Sequence, residues 1–444
     1  MEASPFEKNL CAATVRASAQ LSYILTKEEA SSLLHEISST YPILNERYDN
    51  GKFYSGSNPI ITESELDFDG SFEDENQSDC AFMTKVMSSY FSSNNVELFI
   101  IKRKRSNALF INKNQCAVLL SISHTLCDGA LVAQILGDLL SLSILKHTNG
   151  STQLYTRPKV EHISQLEIVK DLKPGLQNPE DFEKERKYDL ITIPQPLKEN
   201  MDPNTSGPLF YKGICFNFDI SKIIEVCHSI KVRPQAFLTA ADIFSIHGAV
   251  NEISIKQNFL NDPNKPFSII SQVSVNTRKL IHINPLSATC YAAPVFIMSN
   301  IDNEINGRSL MIYIQSEINE KVEKYSVPHL KAYCEGKFPP VANQSWASNV
   351  GIVESEIPIY VQGGASQIPE AARNIRGFTS HAITTKSKIK DAFPSEKAGN
   401  IVLTFMSPTC DDQFVDAMTR RFEWFLRHPS EALEVKILGG NIPC

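Results

Sequence analysis

A histidine and an aspartate lie four residues apart in the segment SISHTLCDG, residues 121–129. His124 follows the apolar run QCAVLLSIS (115–123), which is typical of a buried strand, and Asp128 directly precedes Gly129 and an amphipathic helix pattern. At the end of a strand, polar side chains can face a cleft while the strand anchors them. A neutral imidazole in such a place suits general base catalysis because its ordinary pKa lies near working pH. The alternative is a purely structural histidine, the commoner role of an isolated histidine at a strand end.

The elements around this segment alternate between strands and helices, which is typical of an α/β protein. In the first half, a capping box of Thr26 and Glu29 begins a helix, strands are predicted over 96–104 and 115–123, and a helix follows Gly129. The second half repeats the mixture, with strands predicted over 212–220, 267–277, 291–299, 345–353, 377–385 and 399–407 and helices beginning near 221, 234, 301 and 411.

A charged stretch rich in proline separates the two halves. Residues 171–208 have the composition of a linker. We therefore divide the chain into an N-terminal lobe (1–170), a crossover linker (171–208) and a C-terminal lobe (209–444). Two charged segments are assigned to the surface of the first lobe: the acidic segment 63–79 as a solvated loop, and the basic segment 102–105 as an exposed strand end.

The composition limits the classes of function. Of 444 residues, 42% are hydrophobic and 21% are charged, which is ordinary for a globular protein, and 43 basic against 50 acidic residues give a net charge of −7. An acidic chain is a poor match to nucleic acid, which requires a basic surface. The ten cysteines include no C-x-x-C pair, so we expect free thiols and no zinc site. With no pattern of a signal peptide or a membrane span, we expect a cytoplasmic protein, and a monomer.

Four further segments extend the pattern of H-x-x-x-D-G. They are YPILNERYDNGKFY (41–54), VRPQAFLTAADIF (232–244), SVNTRKL (274–280) and ASNVG (347–351). In order and spacing the chain resembles the chloramphenicol acetyltransferase-like superfamily of acyltransferases, which includes alcohol acetyltransferases, plant BAHD enzymes and condensation domains. It looks most similar to the alcohol acetyltransferase branch. The D-F-G-W-G motif of the plant enzymes is absent, and Ser123 stands where condensation domains commonly have a second histidine.

The resemblance implies two mixed sheets flanked by helices, with an active-site channel between the lobes, and a role for each motif residue. His124 would be the general base. Asp128 would pair with Arg278 and, with Gly129, hold the shape of the loop rather than touch the substrate. The alternative for Arg278 is a surface charge at a strand end.

The S-N-V-G segment, residues 348–351, would face the channel from the second lobe. Asn349, or a backbone group near it, would stabilise an oxyanion, with Ser348 and Gly351 beside it. The alternative is an Asn–Gly turn without substrate contact. Trp346 and His381 can line the same channel, although we favour core packing for both. Cys127 lies inside the motif, but no base is assigned to activate it, so we discount a covalent cysteine mechanism.

The function that the resemblance implies is transfer of an acyl group from acetyl-CoA or another acyl-CoA to a small alcohol or amine. Both substrates would bind before direct transfer, and no metal would be needed. One alternative is a condensation-type domain with a carrier-protein donor, although the chain contains no G-x-[DH]-S attachment site. Another is a catalytically silent member that binds a ligand or partner, against which the intact His124 and Asp128 argue.

Overall fold

Two mixed β-sheets flanked by helices make up the computed structural model of the chain. The structure describes residues 1–68, 75–104, 115–148, 150, 157–192, 211–256, 264–284, 286–338, 345–365, 377–389, 397–406 and 412–438.

The elements of the first half are the helices α1 Pro5–Asn9, α2 Lys27–Ser38, α3 Glu75–Ser89, α4 Gly129–His147, α5 Gln165–Val169 and α6 Pro179–Glu185, and the strands β1 Ala13–Leu21, β2 Glu46–Asp49, β3 Lys52–Ser55, β4 Ile60–Asp67, β5 Val96–Lys104 and β6 Cys116–Ser123. Those of the second half are the helices α7 Ile220–Ser229, α8 Pro234–Lys256, α9 Gly307–Cys334, α10 Asp412–Arg427 and α11 Pro429–Ala432, and the strands β7 Tyr211–Phe218, β8 Phe267–Asn276, β9 Ala292–Ile301, β10 Ser345–Glu354, β11 Tyr360–Ala365, β12 Gly377–Lys386 and β13 Lys397–Met406.

Most elements that the sequence predicts are present within a few residues of their predicted bounds. The clearest local signal, the capping box before α2, has its expected geometry: the Glu29 amide donates to Thr26 Oγ1 (3.2 Å), and the Thr26 amide donates to Glu29 Oε2 (3.0 Å). Local signals succeed here because a cap is completed by residues three positions apart.

The first sheet contains a strand from the second half of the chain, which the predicted division into lobes does not include. The first sheet has the strand order β11-β1-β6-β5-β4, and the second has β7-β13-β12-β10-β8-β9. β11 thus comes from the second half of the chain but pairs with β1 of the first, with Val15 opposite Gly363. The division at 171–208 stays a prediction, but one strand beyond it belongs to the first sheet.

Of the two surface assignments in the first lobe, the exposed strand end is confirmed for Lys102 and Lys104, whereas the loop is wrong for the residues that the structure describes. The acidic segment runs through β4 and the start of α3, and β4 pairs with β5 so that Glu63 contacts Lys102 (3.6 Å). Alternating acids on a strand edge give the same composition as a loop, which explains the error. In the basic segment one residue departs from the prediction: the Arg103 side chain is only 4% exposed, and its guanidinium carbon lies 4.5 Å from the ring centroid of Phe68. Residues 69–74 and 105, and the turn that we predicted at 112–114, lie outside the described residues.

The helix that follows Gly129 is buried between the two sheets. Among the described residues, α4 is the one helix long and apolar enough to cross a membrane by length and composition, and 78% of its most apolar window is buried inside the protein. A side chain at Gly137 would place its Cβ 3.0 Å from the backbone oxygen of Glu354 in β10. This glycine therefore permits the close approach of the two halves.

A buried carboxylate in α4 ties the helix to its surroundings. Asp138 accepts hydrogen bonds from the Tyr41 hydroxyl (2.6 Å), from Gln134 Nε2 (2.8 Å) and from two nitrogens of Arg157 (2.6 and 3.0 Å). Arg157 also reaches Glu354 of β10 (3.0 Å). Through Arg157, the buried carboxylate of Asp138 thus connects α4 in the first half of the chain with β10 in the second half.

We expect Arg157→Ala to lower the free energy of unfolding by about 3 kcal/mol, the lower end of the range for breaking a buried ion pair, because Tyr41 and Gln134 still serve Asp138. The matched control is Arg308→Ala, which removes an exposed pair with Glu434 and should cost less than about 1 kcal/mol. Urea unfolding of both variants checks this, and equal losses would contradict the buried role.

Candidate active site

His124 occupies the turn that begins where β6 ends. Its backbone amide donates to the backbone oxygen of Ala13, the first residue of β1 (2.8 Å), which fixes the backbone of the turn. Its ring nitrogen Nδ1 lies 2.9 Å from the backbone oxygen of Cys127. A carbonyl only accepts, so in the neutral ring Nδ1 carries the proton and Nε2 keeps its lone pair. The turn therefore selects the tautomer in which Nε2 can act as a base.

The surroundings of His124 keep the imidazole neutral. Burial lowers the pKa of His124 below its ordinary value and outweighs the opposing effects of the Asp128 charge and the Cys127 carbonyl. The side chain nevertheless remains partly exposed. A neutral, reachable imidazole is the form that a general base needs.

Asp128 uses both of its carboxylate oxygens within the protein. Oδ1 caps α4 by accepting from the Leu131 amide (3.2 Å), and Oδ2 lies 2.5 Å from Arg278 Nη1. The pair that the resemblance implies is thus present, and each carboxylate oxygen of Asp128 has a partner within the protein. The next residue, Gly129, lies where a Cβ would be 3.3 Å from a methyl of Val361 and 3.5 Å from one of Val350. The loop between β6 and α4 (residues 124–128, the motif loop) and the first residue of α4 therefore contact β10 and β11 closely.

Arg278 is fully buried behind the loop. Besides Asp128, its guanidinium donates to the backbone oxygens of Ser287 (2.8 and 3.2 Å) and Thr289 (2.8 Å), and it lies 5.1 Å from the ring centroid of Tyr291. The alternative of a surface charge for Arg278 is wrong. The guanidinium holds the segment that follows β8 against the motif loop.

The structure adds a support that the sequence analysis missed. Glu7 of α1 is buried behind the same loop, where its carboxylate accepts from the Thr289 hydroxyl (2.6 Å) and its backbone oxygen accepts from the Thr125 hydroxyl (3.1 Å). Burial raises the pKa of Glu7. The capping box of Ser4 and Glu7 is readable in the sequence, but nothing in it indicates a contact with residue 289.

The S-N-V-G segment lies inside β10 rather than in a turn. The pairing of β10 with β12 shifts between Asn349 and Gly351, which marks a bulge, and Gly351 has φ +99°. Asn349 Oδ1 accepts from the Gly351 amide (3.0 Å), and the Asn349 amide donates to Gln235 Oε1 (3.0 Å). The expected turn is therefore a bulge, and the Asn349 amide N–H is already used. Ser348 is half-buried, and its hydroxyl makes no hydrogen bond to any residue that the structure describes.

Cys127 is not placed as a nucleophile. Its thiol is buried and lies 3.2 Å from the backbone oxygen of Asp128, and burial raises its pKa well above the ordinary value. A buried thiol that stays protonated is a poor nucleophile. Within the described ranges, no group of three or more His, Cys, Asp and Glu side chains is placed to hold a metal ion.

Comparisons with known proteins identify the fold. No protein-family model matches the sequence, and no curated protein matches it significantly. Among solved structures, polyketide synthase associated protein 5 from Mycobacterium tuberculosis matches with a TM-score of 0.55 and 11% identity, over 97% of this chain and 100% of that one. The condensation domain of the Monacolin K polyketide synthase MokA matches with a TM-score of 0.52 and 11% identity, over 98% of each chain.

A third match is the TRI3 trichothecene 15-O-acetyltransferase from Fusarium sporotrichioides, with a TM-score of 0.52 and 12% identity, over 95% of this chain and 94% of that one. The chain has the two-lobed chloramphenicol-acetyltransferase-like fold of condensation domains and acyltransferases. TM-scores of 0.52–0.55 over nearly the whole chains establish the shared fold, and identities of 11–12% establish no more than the fold. Which reaction the chain performs depends on its own residues.

We expect Arg278→Ala to lower the free energy of unfolding by about 3–5 kcal/mol, because it leaves the Asp128 carboxylate buried without its cation. Activity should fall with it, since the loop that carries His124 loses its support. The control is Arg427→Ala, whose partner Glu423 is exposed on the same helix. Thermal melts and turnover, measured on both variants and on Asp128→Ala, check this. An Asp128→Ala protein that melts normally but is inactive would instead assign Asp128 a contact with substrate.

Proposed function

We propose that this protein is an acyltransferase that moves an acyl group from the thioester of acetyl-CoA, or another acyl-CoA, to the hydroxyl or amine of a small molecule. The observation that carries the proposal is the neutral imidazole of His124, with Nδ1 engaged by the Cys127 carbonyl and Nε2 left free. The fold adds support, because an acetyltransferase and a condensation domain share it.

The proposed reaction needs one base and one oxyanion site. His124 Nε2 takes the proton of the acceptor hydroxyl or amine as its oxygen or nitrogen attacks the thioester carbon. The carbonyl oxygen becomes an oxyanion, and when it collapses the carbon–sulfur bond breaks. The departing thiolate takes the proton from the imidazolium, so the products are the ester or amide and free CoA, with His124 neutral again.

The oxyanion donors are proposed on β10. Ser348 offers a hydroxyl that no described residue uses, Asn349 offers the N–H groups of its side-chain amide, and the Gly351 amide holds the Asn349 side-chain oxygen at the bulge. Asp128, Gly129 and Arg278 are positioning residues, because they shape the loop without reaching the reacting atoms.

A condensation-type reaction, with the acyl donor on a carrier protein, is the second candidate. It is favoured by the similarity to the MokA condensation domain, whose TM-score equals that of the acetyltransferase. The two are separated by supplying the acyl group on CoA and on a phosphopantetheinylated carrier protein and measuring product. A silent binding protein would transfer from neither.

The remaining expectations belong to the same proposal. We propose a cytoplasmic monomer whose partners are the acyl donor and a small acceptor, not nucleic acid. The cysteines among the described residues are all free thiols, which supports a reducing compartment.

We expect His124→Ala to lower turnover by at least about a hundredfold without unfolding the protein, because the proton acceptor is lost. The matched variant is His124→Asn, whose amide can still donate to the Cys127 carbonyl but offers no base. Release of CoA thiol from acetyl-CoA, with a mixed pool of alcohols and amines, measures both.

The wild-type pH profile sharpens this test. The lowered pKa of His124 means that kcat/KM should stay high until the pH falls below the ordinary range of histidine, and then fall as the base is protonated. A folded His124→Asn protein with near-normal turnover would refute His124 as the base.

The order of binding gives a further prediction. In the part of the chain that the structure describes, the residues next to His124 offer no nucleophile for an acyl-enzyme: burial keeps the Cys127 thiol protonated, and Ser123 and Thr125 flank His124 along the chain. We therefore expect intersecting double-reciprocal plots and no mass increase when the donor is added alone. Parallel plots, or an acyl mass on Cys127, would replace direct transfer with a Cys–His pair.

A further inference from the structure

His381 lies on the face of the second sheet that is turned away from α8. In the register of β12 with β10, His381 pairs with Ser348 and Thr379 pairs with Trp346, so these four side chains share a face. The neighbouring residue Ser380 points the other way and donates to Asp242 of α8 (3.1 Å). His381 therefore lies on the same face as Ser348, one of the two proposed oxyanion donors, and not on the face that packs against α8.

The His381 ring also reaches the first sheet. A Cβ on Gly363 of β11 would lie 3.1 Å from His381 Nε2, so the imidazole packs closely against the backbone of β11 there. Gly363 lies opposite Val15, whose other partner is Ile122, two residues before His124. On the same face of β11, Val361 lies beside Gly129. The imidazole of His381 is thus directed toward the motif loop.

The two imidazoles are close enough to affect each other. Burial, with a smaller contribution from His124, lowers the pKa of His381 to about 3. His381 is therefore neutral at any working pH. It can donate or accept a hydrogen bond, but it cannot serve as a cationic acid.

One nitrogen of this buried ring is left without a hydrogen bond. His381 is 8% exposed, and Nδ1 has no partner among the residues that the structure describes. By contrast, the buried His329 uses both nitrogens, with Nδ1 2.6 Å from the Pro294 oxygen and Nε2 accepting from the Gln177 amide (3.0 Å). A buried polar atom without a hydrogen-bond partner destabilises the folded state, so a purely structural role for His381 would be unfavourable.

We propose that His381 is a substrate-binding residue of the His124 site, whose Nδ1 forms a hydrogen bond with a polar group of a bound substrate next to the reacting carbonyl. This rests on the proposed function for the identity of the substrates. Two substrate groups offer the required chemistry: the thioester oxygen of the donor, or a second polar group on the acceptor. This replaces our sequence-based preference for core packing of His381.

The kinetic test compares His381→Phe, which keeps the ring volume and removes both nitrogens, with His381→Asn, which keeps one polar group near the position of Nδ1. We expect His381→Phe to lower kcat/KM by about ten- to a hundredfold and His381→Asn to recover part of the loss. A loss in kcat shared by all acceptors identifies the thioester oxygen, whereas a loss in KM that differs between acceptors identifies the acceptor. A folded His381→Phe protein with wild-type kcat/KM would overturn the inference.

The matched control is His247→Phe. His247 is also buried, with a pKa lowered to about 4 and its ring stacked on Phe267 at 4.7 Å. It lies twelve residues beyond Gln235 on α8, about 18 Å along the helix axis. Its replacement should leave kcat/KM unchanged.

A second measurement does not depend on turnover. In His124→Asn protein labelled with ¹⁵N-histidine, acetyl-CoA and the acceptor pool should shift the Nδ1 resonance of His381, assigned by its loss in His381→Phe, but not that of His247. Turnover by the wild type without this shift would overturn the role of His381 and leave the acyltransferase proposal standing. A shift of the His381 resonance without turnover by the wild type would overturn the acyltransferase proposal and leave His381 as a ligand-binding residue. If the wild type shows no turnover and the His381 resonance does not shift, both the acyltransferase proposal and the role of His381 are overturned.

Discussion

The structure depends on one buried ion pair, between Asp128 of the first half of the chain and Arg278 of the second. The carboxylate caps α4 with one oxygen and meets the guanidinium with the other, and the guanidinium binds the carbonyls of residues 287 and 289. Two charges removed from water are stable only with this complete set of partners, because each alone would be costly to bury. The pair therefore fixes the end of β8 and the start of α4 relative to each other, and with them the loop between β6 and α4.

The chemistry of the loop follows from that fixed shape. The carbonyl of Cys127 is held where it selects the tautomer of His124, and burial keeps the imidazole neutral, the form that the proposed general base needs. The same burial keeps the Cys127 thiol protonated. One environment thus favours a base and disfavours a nucleophile, since desolvation favours the uncharged form of both groups.

The second constraint is the crossing of β11 into the first sheet. Pairing with β1 brings Val361 and Gly363 beside the motif loop, and β10 and β12 come with them. Ser348 and His381 then lie on one face with polar atoms that the described residues do not satisfy. These are the atoms that the proposed site would use to bind a substrate.

The sequence by itself determined the elements and the reactive motif. Caps, alternation and helical periodicity are completed within a few residues, so α2, α4, β5 and β6 and the positions of His124 and Asp128 could be read directly. The tertiary structure decided which distant residues meet. Only the tertiary structure shows that Glu7 lies behind the loop and that β11 pairs within the first sheet. It also shows that the S-N-V-G segment forms a bulge rather than a turn, and that His381 Nδ1 has no hydrogen-bond partner among the described residues. These depend on contacts between residues far apart in the chain, because the burial and partners of a side chain are set by packing, and no local pattern records them.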